Sequence, residues 1–165
     1  MNDHSTTPLT THDVALKTPV GFLAFGFGSG LAPKAPGTVG TLAAIPVYLM
    51  MAPLAWPMYL FLTVISFLFG IYLCERASEM LGVHDHGGIV WDEFVGLWLT
   101  LFMIPLQWHW LLLGFLLFRF FDIIKPFPIK WLDKKVKGGF GIMIDDVIAG
   151  IFAWAILFTI VRFFG

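Results

Sequence analysis

The sequence predicts an all-α protein: a polytopic membrane helical bundle of four to five spans, preceded by an N-terminal interfacial or re-entrant segment. Three observations carry this reading. Of 165 residues, 58% are hydrophobic and only 13% charged, where soluble domains run near a quarter charged. Mean hydropathy is +0.84. The polar residues collect in short patches between apolar runs of helix-spanning length.

Residues 1–19 are polar and rich in Ser and Thr, with no apolar run after Met1. A disordered tail without a cleaved signal peptide is expected there. Residues 20–165 leave room for one membrane-embedded domain. Within it, Val20 to Leu31 is interrupted by Gly21, Gly26, Gly28 and Gly30. At about 1.5 Å per residue it falls well short of a hydrocarbon core of about 30 Å, hence the interfacial or re-entrant assignment.

Thr38 to Ala52 is a short candidate span bent at Pro46, and Trp56 to Leu73 is an uninterrupted apolar run. The uncharged turn Pro53-Leu54-Ala55-Trp56-Pro57 joins them. Gly88 to Ile124 is too long for one crossing, and Pro105-Leu106-Gln107 divides it into helices at about Gly88–Ile104 and Trp108–Ile124. The last span covers about Ile142 to Phe164. The lone cysteine, Cys74, forms no internal disulfide and reads as a buried helix residue.

Lys and Arg are retained on the cytoplasmic side of membranes. Lys17, Lys34, Arg76, Arg119, Lys125, Lys130, Lys134, Lys135 and Lys137 lie outside or at the ends of the apolar runs, and the turns at Pro53 and Pro105 carry neither residue type. Five crossings with the N-terminus inside place every charged patch at one cytoplasmic face. A net charge of −1 excludes an electrostatic footprint for nucleic acid.

That face gathers five carboxylates, Asp92, Glu93, Asp122, Asp145 and Asp146. A carboxylate at the edge of a span is costly and so has a partner or a function, and five together predict a divalent-metal site. Adjacent residues on a helix point roughly 100° apart. Asp92 and Glu93 therefore divide between binding metal and orienting a ligand, or are solvated acids favoured by the helix macrodipole. Asp145 and Asp146 follow the same logic, with Gly138, Gly139 and Gly141 as a flexible lead-in. Arg119, Asp122 and Lys125 share one helix face, either as a surface ladder or as a carboxylate flanked by phosphate-facing cations.

Ala35-Pro36-Gly37-Thr38-Val39-Gly40-Thr41 opens an apolar helix just after Lys34. Its free N–H groups suit a phosphate; the alternative is that Thr38 caps the helix. His84-Asp85-His86 lacks a further ligand for zinc and reads as solvated loop, as do His4, His12 and His109. The Lys130–Lys137 run anchors anionic headgroups and also draws in anionic lipid.

Four ordered motifs now stand together: Gly28-Ser29-Gly30-Leu31-Ala32-Pro33-Lys34-Ala35-Pro36-Gly37-Thr38-Val39-Gly40-Thr41, Ile89-Val90-Trp91-Asp92-Glu93, Phe118-Arg119-Phe120-Phe121-Asp122-Ile123-Ile124-Lys125-Pro126, and Gly141-Ile142-Met143-Ile144-Asp145-Asp146-Val147-Ile148-Ala149-Gly150. From about Phe22 to the C-terminus the chain closely resembles the phosphatidylglycerophosphatase A family. The resemblance implies a multi-pass enzyme of the bacterial inner membrane with its active site facing the cytoplasm. It implies a Mg²⁺-dependent lipid phosphatase that converts phosphatidylglycerophosphate to phosphatidylglycerol and phosphate.

Carried over by position, the functional residues are Lys34, Thr38, Asp92, Glu93, Asp122, Lys125, Asp145 and Asp146. Mg²⁺ prefers carboxylate oxygens and bridges them to phosphate, which makes Asp92, Asp145 and Asp146 the expected ligands. Asp92, Glu93, Asp122 and Asp146 are the expected catalytic acids, with Glu93 or Asp122 as base or orienter. Lys34, Gly37, Thr38, Thr41, Arg119 and Lys125 are the expected phosphate-binding set. A CDP-alcohol phosphotransferase would need an aspartate spacing missing from this chain. A transporter or channel would place acids at mid-membrane depth between repeated halves. Oligomeric state has no signal in the sequence.

Overall fold

The computed structural model describes residues 10–164. Among them there is no strand, and the chain runs through α1 (Thr11–Lys17), α2 (Pro19–Ala24), a single 3₁₀ turn (Ser29–Leu31), α3 (Pro36–Met51), α4 (Trp56–Leu81), α5 (Trp91–Thr100), α6 (Trp108–Ile124), α7 (Ile129–Lys135) and α8 (Gly138–Phe164). The all-α expectation is met.

The tail departs from expectation in its second half; its first nine residues lie outside the described set. Over Thr11–Lys17 the chain is helical because Thr10 and Asp13 cap each other reciprocally and Lys17 pairs with Asp13 at 2.5 Å. Those contacts, Lys17 first and then Thr10, hold the exposed Asp13 carboxyl down at about 2. Val14 and Ala15 are fully buried, tying α1 to α2 and α4. After α2 the backbone turns sharply through Gly26, Phe27 and Gly28, all at positive φ. Val20–Leu31 thus folds back on α4 and extends nowhere as a crossing.

Helix α4 continues eight residues past the expected Leu73. The charges Glu75 and Arg76 end an apolar run, but they are good helix formers, and the helix stops only where Gly82 takes the left-handed region at φ 66. The expected Gly88–Ile104 helix shortens to the ten residues of α5. It is the hub of the bundle, packed on α3, α4, α6 and α8, with Phe94, Val95 and Leu97 fully buried. A helix enclosed by protein has no need to match a bilayer in length.

Helix α8 begins four residues earlier than Ile142. Gly139 and Gly141 are not a flexible lead-in: they lie inside the helix, where a Cβ on Gly139 would collide with the Ile71 carbonyl of α4. Farther along, a Cβ on Gly150 would sit 2.6 Å from the Gly96 carbonyl of α5. The two helix backbones therefore touch directly, a packing mode of membrane helices. Gly150→Leu is expected to separate α5 from α8 and lower the thermal midpoint of the detergent-solubilised protein, checked by tryptophan fluorescence.

Two helices, α4 and α8, are long and apolar enough to cross a membrane, and only 28% and 22% of their most apolar stretches are buried. Core helices of soluble proteins are mostly buried, so the exposed apolar faces are compatible with a membrane protein. The bundle has a polar end, where α4 and α6 finish and α3, α5 and α8 begin, and an opposite end with the turns at Pro53 and Pro105, where the described residues bring a single charge, Arg162 in the last turn of α8. At that opposite end the Tyr59 hydroxyl donates to the Trp98 carbonyl at 2.7 Å, and Trp154 Nε1 donates to the Phe102 carbonyl at 2.9 Å.

Candidate active site

Five helices deliver charged residues to the polar end. Glu93, in the first turn of α5, is buried at 7% exposure, an untenable place for an isolated carboxylate. Its partner is Arg119 of α6, whose Nη1 donates to both Glu93 oxygens and pairs with Asp122 Oδ2 at 2.7 Å. The Thr41 hydroxyl of α3 lies 2.7 Å from Glu93 Oε2 and 2.9 Å from the Gly37 carbonyl, donating to one at a time. Gly37 has room for no side chain: a Cβ there would strike Glu93 Oε1 and lie 3.3 Å from the Arg119 guanidinium. The small residues opening α3 admit an ion pair against the helix backbone.

A second pair forms one turn later. Lys125, the left-handed cap of α6 at φ 46, reaches Asp145 Oδ2 at 2.5 Å and Asp133 Oδ1 at 2.9 Å. Burial works against its charge, but Asp145 and Asp133 outweigh that cost and raise its pKa above the ordinary lysine value. Asp133 was not foreseen. It sits within the basic run read as a lipid anchor, and its eight-residue separation from Lys125 across Pro126 and Pro128 corresponds to no shared helix face.

Thus Arg119 and Lys125, expected to face a phosphate, are bound to carboxylates, and Thr41 is tied to Glu93. Two acids differ. Among the described residues Asp92 and Asp146 pair with no lysine or arginine. Asp146 is buried at 3% exposure and its Oδ2 has no hydrogen-bond partner. Asp92 Oδ1 accepts only the neighbouring Glu93 N–H at 3.0 Å.

Lys34 is exposed and unpaired among the described residues, just ahead of α3. The cap of α3 is Ala35, not Thr38, so no side chain occupies the N–H groups of that helix start. Thr38 is half-buried on its first turn. His84 Nε2 accepts the Gly138 N–H at 2.9 Å and His86 Nδ1 accepts the Gly88 N–H at 3.0 Å. His84 holds the first residue of α8 and His86 holds loop backbone, so His84→Ala and His86→Ala are expected to keep turnover and metal response within about twofold, as surface changes do. A steady-state assay checks this.

No three His, Cys, Asp or Glu side chains are assembled as a ready cage among the described residues. The donor set nevertheless fits a hard divalent cation. Mg²⁺ takes one or two carboxylates plus substrate phosphate and water, and Asp92 and the orphaned Asp146 are oxygen donors whose charge nothing else balances.

The family model for phosphatidylglycerophosphatase A matches residues 22–161. The chain belongs to the phosphatidylglycerophosphatase A family. It is 49% identical over 146 residues to phosphatidylglycerophosphatase A of Escherichia coli (strain K12), covering 88% of this chain and 85% of that one. It is 52% identical over 149 residues to phosphatidylglycerophosphatase A of Haemophilus influenzae (strain ATCC 51907 / DSM 11121 / KW20 / Rd), covering 89% and 91% respectively. No solved structure matches the chain. The family match spans α3 to α7 and most of α8, so every paired and unpaired acid of the polar end lies inside it.

Proposed function

We propose that the polar end hydrolyses the phosphomonoester of phosphatidylglycerophosphate, giving phosphatidylglycerol and phosphate, as a Mg²⁺-dependent enzyme of the bacterial inner membrane. The observation that carries the site assignment is the uneven charge pairing: Glu93, Asp122, Asp133 and Asp145 each contact Arg119 or Lys125, while Asp92 and Asp146 contact no cation among the described residues. Family membership carries the reaction.

Asp92 and Asp146 would hold the ion, which supplies charge neutralisation at the phosphate. Asp145, held by Lys125, fixes the start of α8 beside them. Glu93 has both oxygens engaged by Arg119 and one by Thr41, so it acts as a fixed strut that orients α3 and α6 around the site. Asp122 gives Oδ2 to Arg119 and keeps Oδ1 for orienting the attacking water. Lys34 and the uncapped amides at the start of α3 bind the phosphate oxygens. Positioning and charge compensation of this kind are the main contributions a protein makes to phosphoryl transfer.

The same architecture supports a multi-pass arrangement with the polar end in the cytoplasm. Helices α3, α4, α6 and α8 surround the shorter α5, and the chain alternates direction between an end that carries nearly all of its Lys and Arg and one where Arg162 is the only such side chain among the described residues. Trp56 and Trp108, both exposed, mark the interface at the Arg162 end, and Trp131 the one at the polar end.

Phosphate release from phosphatidylglycerophosphate in detergent micelles, with Mg²⁺ and with a chelator, tests the reaction and the metal together. Release that persists undiminished in chelator would sink the metal assignment. Lys34→Ala is expected to raise KM about tenfold, the value of one charge-assisted hydrogen bond, without moving the Mg²⁺ titration. A shift of the Mg²⁺ curve alone would make Lys34 something other than a phosphate ligand.

A further inference from the structure

Beside the polar end lies a cavity of about 270 Å³, walled by Thr63, Val64 and Phe67 of α4, Val95 and Leu99 of α5, and Phe140, Ile144 and Val147 of α8. Its lining is apolar throughout, because the Thr63 hydroxyl is turned to its own helix and donates to the Tyr59 carbonyl at 2.9 Å. Val64 and Phe140 are exposed, so the groove opens sideways to the surroundings of the bundle. In a membrane that opening faces hydrocarbon.

The α5 wall of the groove lies on the same helix face as Asp92. Asp92, Val95 and Leu99 are spaced three and four residues apart, which places them on one face of α5. The face runs about 10 Å from an unpaired carboxylate into an apolar slot. Phe140, Ile144 and Val147 form the facing stripe on α8. The Phe67 and Phe140 rings, both lining the groove, meet edge to face with centroids 6.2 Å apart.

We propose that this groove holds one acyl chain of the phospholipid substrate while its phosphate lies at Asp92 and Asp146. The assignment rests on the phosphatase reading above. A headgroup alone leaves such a slot without an occupant, whereas a diacyl lipid entering sideways from the bilayer fills it and orients its phosphate at once. Chain burial then supplies affinity that the small headgroup lacks, at the usual gain per buried methylene.

Val64→Phe and Val147→Phe fill the groove from positions outside the charged site. Activity is compared on phosphatidylglycerophosphate with long acyl chains and with two four-carbon chains. Expected is an about tenfold rise in KM for the long-chain substrate, equivalent to losing burial of about two methylenes, with turnover of the short-chain substrate kept. Independently of turnover, a long-chain phospholipid with a photoactivatable group on its acyl chain should label the 60–67 and 140–147 segments of the wild-type protein and lose that labelling in the filled variants. Equal effects on both substrates, or labelling that ignores the substitutions in variants with wild-type melting, overturn the groove. Wild-type protein that releases phosphate from neither substrate overturns the phosphatase reading instead, and labelling of the groove then decides lipid binding on its own.

Discussion

Asp146→Asn is expected to lower phosphate release by a factor of about 10²–10³ while leaving the fold intact. The asparagine keeps the size and one oxygen of the aspartate but removes the charge, and the loss of one preorganised electrostatic group at a reacting centre has this magnitude. Stability should hold or rise, since the substitution neutralises a buried carboxylate whose Oδ2 has no hydrogen-bond partner. Turnover and melting measured on the same preparation check both halves. A variant that turns over normally at saturating Mg²⁺ removes Asp146 from the site.

Arg119→Leu is expected to act in the opposite sense, on the fold first. It leaves Glu93 and Asp122 without their shared cation beside the start of α3, and breaking a buried ion pair by removing one partner costs about 3–5 kcal/mol. The variant should melt far below wild type in detergent. Adding Glu93→Gln should restore part of the loss, because the amide needs no counter-charge. Arg119→Leu that melts like the wild type would show that the pair does not hold α3 and α6 together. Neither result depends on assigning a reaction, which separates the strut from the chemistry.

The contrast between Asp146 and Arg119 shows what was visible in the sequence. The four motifs named the acidic residues, and Asp92 and Asp146 among them are the two that contact no lysine or arginine among the described residues. The motifs also assigned Arg119 and Lys125 to phosphate, since cations three residues either side of a carboxylate look free until their partners are known. Those partners, Glu93 and Asp133, lie 26 and 8 residues away on other helices, beyond any helical periodicity.

Local patterns alone determined that the chain is helical, where its prolines divide the apolar runs, and that its acids cluster at helix ends. Hydropathy and the loss of a backbone donor at proline act within a few residues and can be read along the chain. The tertiary structure decided the rest. It cut α5 to ten residues by enclosing it, turned the glycines before Asp145 from a lead-in into a helix contact, and matched two cations to four carboxylates so that two were left unpaired. Burial and charge compensation act through space, and a buried charge takes its counter-ion from whichever helix packing brings within reach.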